Sequence, residues 1–246
     1  MEFIPWYGDW KFWSAVVAWL SFMMNILPWI IKKTRGTNLS LTAYPSISLT
    51  HKVGITNIQW HLRLENNGGT ELDISNIDLS IKDDDGTLTI PGKTTYEKNS
   101  IDQSILAGFR LKPGETWQGF VCFFEHLSID DQREFRNIEN ETRQELKSQG
   151  TQPIPPILSP KLINRITTFY LRMFKFKPRE YKVKICVKAK GGKEFFFPGY
   201  RFTLYESDVS EQISHSNRYM TGEGITWHSD INPWLQVSII KNTDSE

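Results

Sequence analysis

The chain has 246 residues, 39% hydrophobic and 23% charged, which suits one ordinary domain with an appendage and excludes a multi-span transporter, a fibre or wholesale disorder. Two cysteines exclude a disulfide scaffold and every all-cysteine metal site. The net charge of +1 is a cancellation of +2 over residues 1–35, −6 over 36–150, +10 over 151–205 and −5 over 206–246.

Phe12 to Ile31 carries no formal charge, and as a helix its twenty residues reach about 30 Å, the thickness of a bilayer's hydrocarbon core. The pattern predicts a transmembrane helix over 12–31 behind a short external tail, 1–11. Trp10 and Trp13 flank one margin and Trp29 the other, where indoles sit at headgroup depth. Lys32, Lys33 and Arg35 follow the span and only Lys11 precedes it, so the positive-inside bias puts the amino terminus outside and the body in the cytosol. A cleaved signal peptide fits poorly, because the leader holds Glu2 and Asp9 and the exit reads Trp29-Ile30-Ile31-Lys32. A buried or in-plane interfacial helix is the competing reading. Asn25 offers a hydrogen bond to a sister helix, hence self-association, or to headgroups, and Pro28 loosens the last turn.

From Asn38 the period becomes two. Leu39, Leu41 and Ala43, then Ile58, Trp60, Leu62 and Leu64, then Ile77, Leu79 and Ile81 alternate with polar partners, as half-buried strands do. Asn66-Asn67-Gly68-Gly69, Asp83-Asp84-Asp85-Gly86, Pro91-Gly92 and Pro113-Gly114 read as turns between them. With Trp117–Phe124, Tyr181–Val187, Glu194–Leu204 and Leu235–Ile240, eight or nine strands are expected, in an all-β sandwich over 36–126 and 180–240.

Leu62-Arg63-Leu64-Glu65-Asn66-Asn67-Gly68, Ile74 to Leu79, and Leu111-Lys112-Pro113-Gly114-Glu115-Thr116-Trp117-Gln118-Gly119-Phe120-Val121 resemble the strand grammar of bacterial immunoglobulin-like sandwich modules, over roughly 38 to 125. The resemblance implies a binding or structural module with no catalytic residues to carry over. Cys122 shares a face with Phe120 and Phe124, and Cys186 with Lys182 and Lys184, so Cys186 is expected in solvent and an inter-sheet disulfide is not expected.

Residues 127–179 predict a helical insertion. Ser128-Ile129-Asp130-Asp131 caps a charged helix with Phe135, Ile138, Thr142 and Leu146 on one stripe, and Pro153-Ile154-Pro155-Pro156 stiffens a spacer. Ser159-Pro160 then opens an amphipathic helix with Leu162, Ile163, Ile166, Phe169, Tyr170, Met173 and Phe174 on one face. Lys161, Arg165, Arg172, Lys175, Lys177 and Arg179 supply bases with no intervening acid. The helix either packs on a sheet with its bases solvated, or lays Phe169 and its bases on anionic lipid; a nucleic-acid or nucleotide surface is a third use of the bases. The polar segment Glu206–Arg218 reads as a loop, and Trp227, His228 and Trp234 form a candidate partner patch or a buried sandwich edge.

No catalytic, cofactor or metal motif stands out. The five histidines are scattered, Gly222-Glu223-Gly224 is too short for a dinucleotide fingerprint, and the aspartate run lacks calcium-loop spacing. The expectation is a non-catalytic, membrane-anchored cytosolic binding or scaffold module for a protein or anionic ligand. Two alternatives are an oligomerising membrane effector that perturbs the bilayer and a hydrolase in an unfamiliar fold.

Overall fold

The period-two segments form antiparallel strands because each has one wholly apolar face to bury. In the computed structural model, which describes residues 10–96, 103–149, 158–225 and 234–241, eleven strands and four helices alternate. Helix α1 (Trp10–Thr34) precedes β1 (Leu39–Lys52), β2 (Ile55–Asn66), β3 (Leu72–Lys82), β4 (Thr87–Tyr96), β5 (Gln103–Ile105), β6 (Phe109–Leu111) and β7 (Thr116–Phe124). Helices α2 (Ile129–Gln149) and α3 (Pro160–Met173) follow, then β8 (Arg179–Ala189), β9 (Lys193–Leu204), α4 (Glu206–Tyr219), β10 (Leu235–Ser238) and β11 (Ile240–Lys241).

The strands run in the order β10-β1-β2-β7-β4-β3-β8-β9-β11, with β5 on β4 and β6 on β3. Two corners join what would otherwise be separate sheets. At the first, β4 pairs with β3 up to Pro91, opposite Asp78, and with β7 from Gly92, opposite Phe123. Pro91-Gly92 is therefore a bend within a strand and not the turn its residue types suggest. A Cβ on Gly92 would lie 2.7 Å from Val121 Cγ1 and 2.8 Å from the Ile77 carbonyl, so only glycine lets the chain cross here. At the second corner, β10 pairs with β1 and β11 with β9. A bulge in β1 between Ala43 and Ile47 frees the Pro45 carbonyl for the Ile239 amide (2.8 Å) and the Tyr44 carbonyl for the Trp60 indole (2.8 Å). The body is thus a nearly closed, barrel-like antiparallel sheet in place of two independent sandwich layers.

Its interior is filled by the alternating residues read from the sequence: Ile58, Trp60, Leu62 and Leu64 are at most 1% exposed, and Ile77, Leu79, Val121 and Phe123 join them. The cysteines depart from expectation. On β7 the inner face is Val121 and Phe123, so Cys122 points outward, and yet it is fully buried beside Gln59 and Thr94. Cys186 lies on the lysine face but is covered, facing Asp78 on one side and Phe196 on the other. Both thiols are free, and burial raises the pKa of each.

The barrel has two unlike ends. At one, the turns β2–β3, β6–β7 and β8–β9 gather around residues 36–38, where α1 hands the chain to β1. Fully buried Asn66 organises this end: its amide donates to Thr70 O (2.8 Å) and Leu111 O (2.9 Å) while its Oδ1 accepts from Gly68 N (3.0 Å). The opposite end is capped by α2, α3 and α4, whose second core holds Ile138, Leu162, Ile166, Phe169, Tyr170, Met173 and Tyr219. The segment expected to be a loop at 206–218 is helix α4.

Helix α1 is long and apolar enough to cross a membrane, and none of its Trp10–Pro28 stretch is buried. Its polar side chains bond to its own carbonyls, Ser14 to Lys11 (2.9 Å), Asn25 to Ser21 (2.8 Å) and Thr34 to Ile30 (3.0 Å), which is how such groups are satisfied where water is absent.

Candidate functional site

The helical cap meets the barrel over the tight hairpin between β1 and β2. Val53 and Gly54 both have positive φ, 50° and 87°, as a two-residue primed turn requires. Val53 is fully buried in the cap core, and a Cβ on Gly54 would come within 2.8 Å of the Tyr170 carbonyl. Beside this tip lies His51. Its Nε2 donates to Gln212 O (2.8 Å) and its Nδ1 accepts from the Gly54 amide (3.1 Å), which fixes the neutral Nε2–H form. Burial, and then the neighbouring His215, lower the His51 pKa to about 4. Tyr219 donates its hydroxyl to the His51 carbonyl, and burial raises that phenol to about 12. The cluster joins α4 to the hairpin tip; no carboxylate hydrogen-bonds to His51 among the described residues.

A cleft of about 390 Å³ opens at the same end, between the β3–β4 turn and the link from α3 to β8. Ile81, Leu88, Phe174, Phe176 and Tyr181 line its apolar part, and Asp83, Asp85, Lys175 and Lys177 its charged margin. The aspartate turn forms as expected: Asp83 Oδ1 accepts from the amides of Asp85 and Gly86, both at 3.0 Å. Its carboxylates then face the bases, with Lys177 2.7 Å from Asp85, and Arg179 3.1 Å from Asp85 and 3.4 Å from Asp83. The Lys177 contact, followed by Arg179, holds the Asp85 carboxyl below its ordinary pKa. Lys175 pairs with buried Glu125, and the Tyr181 hydroxyl accepts from Lys177 N (2.7 Å) and donates to Lys177 O (3.0 Å). No histidine lines this cleft.

The basic helix is placed differently from a lipid-gripping one. Phe169 is 1% exposed, and α3 turns its apolar stripe into the cap. Ser159 caps the helix through the Leu162 amide (3.4 Å) and is itself held by Glu145 of α2 (2.6 and 2.8 Å). Arg165 bonds to Glu141 (2.6 Å), and Arg172 to Asp131 (2.8 Å) and Glu134 (2.7 Å), while Lys161 is exposed. The helix therefore packs, on helices more than on a sheet face, and most of its bases meet acids from α2.

Of the other expected residues, Trp10 and Trp13 are exposed on α1, Asn25 and Pro28 lie within it, and Arg35 is exposed just after it. The side chains of Trp29, Lys32 and Lys33 lie outside the described residues, as do Trp227, His228 and the spacer Pro153–Pro156. Trp234 is half-buried just before β10. The cleft was half legible: an acidic run at 83–85 and a basic run at 175–179 were visible, but not that the fold sets them face to face. Among the described residues no group of histidine, cysteine and carboxylate side chains converges as a metal site would.

No protein family and no curated protein matches the sequence. Among solved structures, a crystal structure described as "Putative ApaA Protein from Bordetella pertussis" is 12% identical, covers 70% of this chain and 95% of its own, and superposes with a TM-score of 0.27. At that score nothing is carried over from it.

Proposed function

We propose that the protein is a single-pass membrane-anchored binding or scaffold module, amino terminus outside and body in the cytosol, which receives a protein segment or an anionic ligand in the cleft at the barrel end remote from α1. The observation that carries the reading is this polarity: the anchor joins one end of the barrel and the cleft opens at the other, about 35 Å away along β2 at ~3.3 Å per residue. The cleft's ionisable groups support a binding role, being engaged in ion pairs and backbone bonds. An anionic group entering the cleft exchanges with Asp85 for Lys177. Both partners of that pair are more than half exposed, 59% and 57%, so water already screens it and the exchange is cheap.

The test is calorimetric titration of the full-length protein in nanodiscs with a panel of anionic metabolites and acidic peptides. Leu88→Trp, which fills the cleft, should abolish binding, and Lys177→Glu should weaken it by about tenfold or more. A ligand held equally by both variants removes the cleft from the function.

A further inference from the structure

The link between α1 and the barrel has almost no slack. Thr34 to Leu39 spans five residues, at most about 18 Å of extended chain. It is also pinned: Gly36 O accepts from Gly69 N (2.9 Å), Asn38 O from Gly68 N (3.0 Å), and Lys193 Nζ reaches Thr37 Oγ1 (3.4 Å). The β8–β9 turn is tied to the same end through Lys190 N to Asp73 O (2.8 Å), and the β6–β7 turn through Gly114 N to Asn66 O (2.8 Å). If α1 crosses a bilayer, these turns stand at its headgroup layer.

Their charge is not balanced locally. Glu71 and Asp73 both clasp Arg110, at 2.7 and 2.8 Å, and Glu115 turns its carboxylate to the Lys112 amide (2.8 Å). Among the described residues Arg35, Lys112 and Lys193 make no ion pair, and Lys190 is 73% exposed with its nearest acid, Asp73, at 3.7 Å. Gly191 and Gly192 have φ of 82° and 78°, and a Cβ on either would touch nothing within 4 Å, so the turn projects clear of the barrel.

We propose that the Lys190-Gly191-Gly192-Lys193 turn, with Arg35 and Lys112, seats the barrel on anionic lipid headgroups. The inference rests on the anchored reading above and adds to it a surface and a lipid class. The barrel then stands on the membrane by its turns, and the cleft faces the cytosol. Each base near an anionic surface strengthens association about fivefold, so reversing three of them removes most of the preference.

The experiment uses the full-length protein in nanodiscs of phosphatidylcholine alone or with about one-third phosphatidylglycerol. Cys122 and Cys186 are buried, so an added cysteine labels selectively. A fluorophore at Pro113→Cys reports the anchored end and one at Asp84→Cys the far end, each read by quenching from headgroup nitroxide lipid. Quenching at Pro113→Cys should rise about twofold or more with phosphatidylglycerol and fall back in high salt, with no rise at Asp84→Cys. Lys112→Glu, Lys190→Glu and Lys193→Glu together should abolish the rise. Equal quenching in the two lipids, or a rise that survives the triple reversal, overturns the docking while leaving the anchor in place. Release of the protein by alkaline carbonate overturns both.

Discussion

Asn66 and His51 carry unusual weight for single side chains, and only one was legible. Asn66 sits in an asparagine-glycine run that reads as a turn, yet its side chain closes three bonds inside the barrel end while fully buried. Asn66→Ala leaves the Gly68 amide its bond to Asn38 O but takes the side-chain donor from the Thr70 and Leu111 carbonyls, and should cost about 1–2 kcal/mol in a urea titration. His51 gives no sequence signal, because its partners on α4, Gln212 and Tyr219, lie more than 150 residues away. An unfolded histidine takes up its proton near pH 6.5, whereas folded His51 resists until about pH 4. Between those values the unfolded state binds more protons, so the contribution is whole above pH 6.5 and is lost as pH falls toward 4, about 3 kcal/mol in all. His51→Gln should flatten the stability profile across that window. If its slope between pH 6.5 and 4 matches the parent's, the titrating group lies elsewhere. The cysteines show why side-chain direction escaped the sequence: Phe120, Cys122 and Phe124 alternate as convincingly as Trp117, Val121 and Phe123, and periodicity cannot choose between two apolar faces.

Elements were legible where hydropathy alternates and illegible where polar residues are buried. The inner faces of β2 and β3 and the cap of α3 follow directly from residue spacing. α4 escaped because its buried stripe is Val209, Gln212, Ser216 and Tyr219, helically spaced but half polar. β4 escaped as one continuous strand because proline and glycine normally end strands; here they mark where it changes partners. Gly92→Ala sets a methyl against the Ile77 carbonyl and Val121, and should cost about 2–3 kcal/mol in melting or urea experiments. Phe169→Ala empties the cap core and should cost about 3–5 kcal/mol. Loss of that size is incompatible with a helix whose apolar face waits for lipid, so a near-neutral effect would restore the lipid-facing reading.

For the whole molecule, the segmental charges read from the sequence are complementary surfaces of one fold. The bases of 151–205 pair with the acids of 36–150 at Lys175–Glu125, Lys177–Asp85, Arg179–Asp83, Arg165–Glu141, Arg172–Glu134 and Lys188–Asp78. Many of the bases that looked free to meet an outside partner are met by acids of the same fold, while Lys190 and Lys193 remain at the opposite end of the barrel. Sequence could show the imbalance but not its resolution, because every one of these pairs joins distant parts of the chain. Removing residues 1–35 should leave a soluble β-rich body by circular dichroism while the full chain resists alkaline carbonate; a truncated protein that stays with membranes would move the attachment into the barrel. The second corner has a temporal consequence. Because β10 and β11 follow every other described strand in chain order, β1 stays a bare edge throughout synthesis of the cap, and β9 stays one while α4 is made. An open edge invites pairing with another chain, so the hazard lasts until these two short strands arrive and sew the seam.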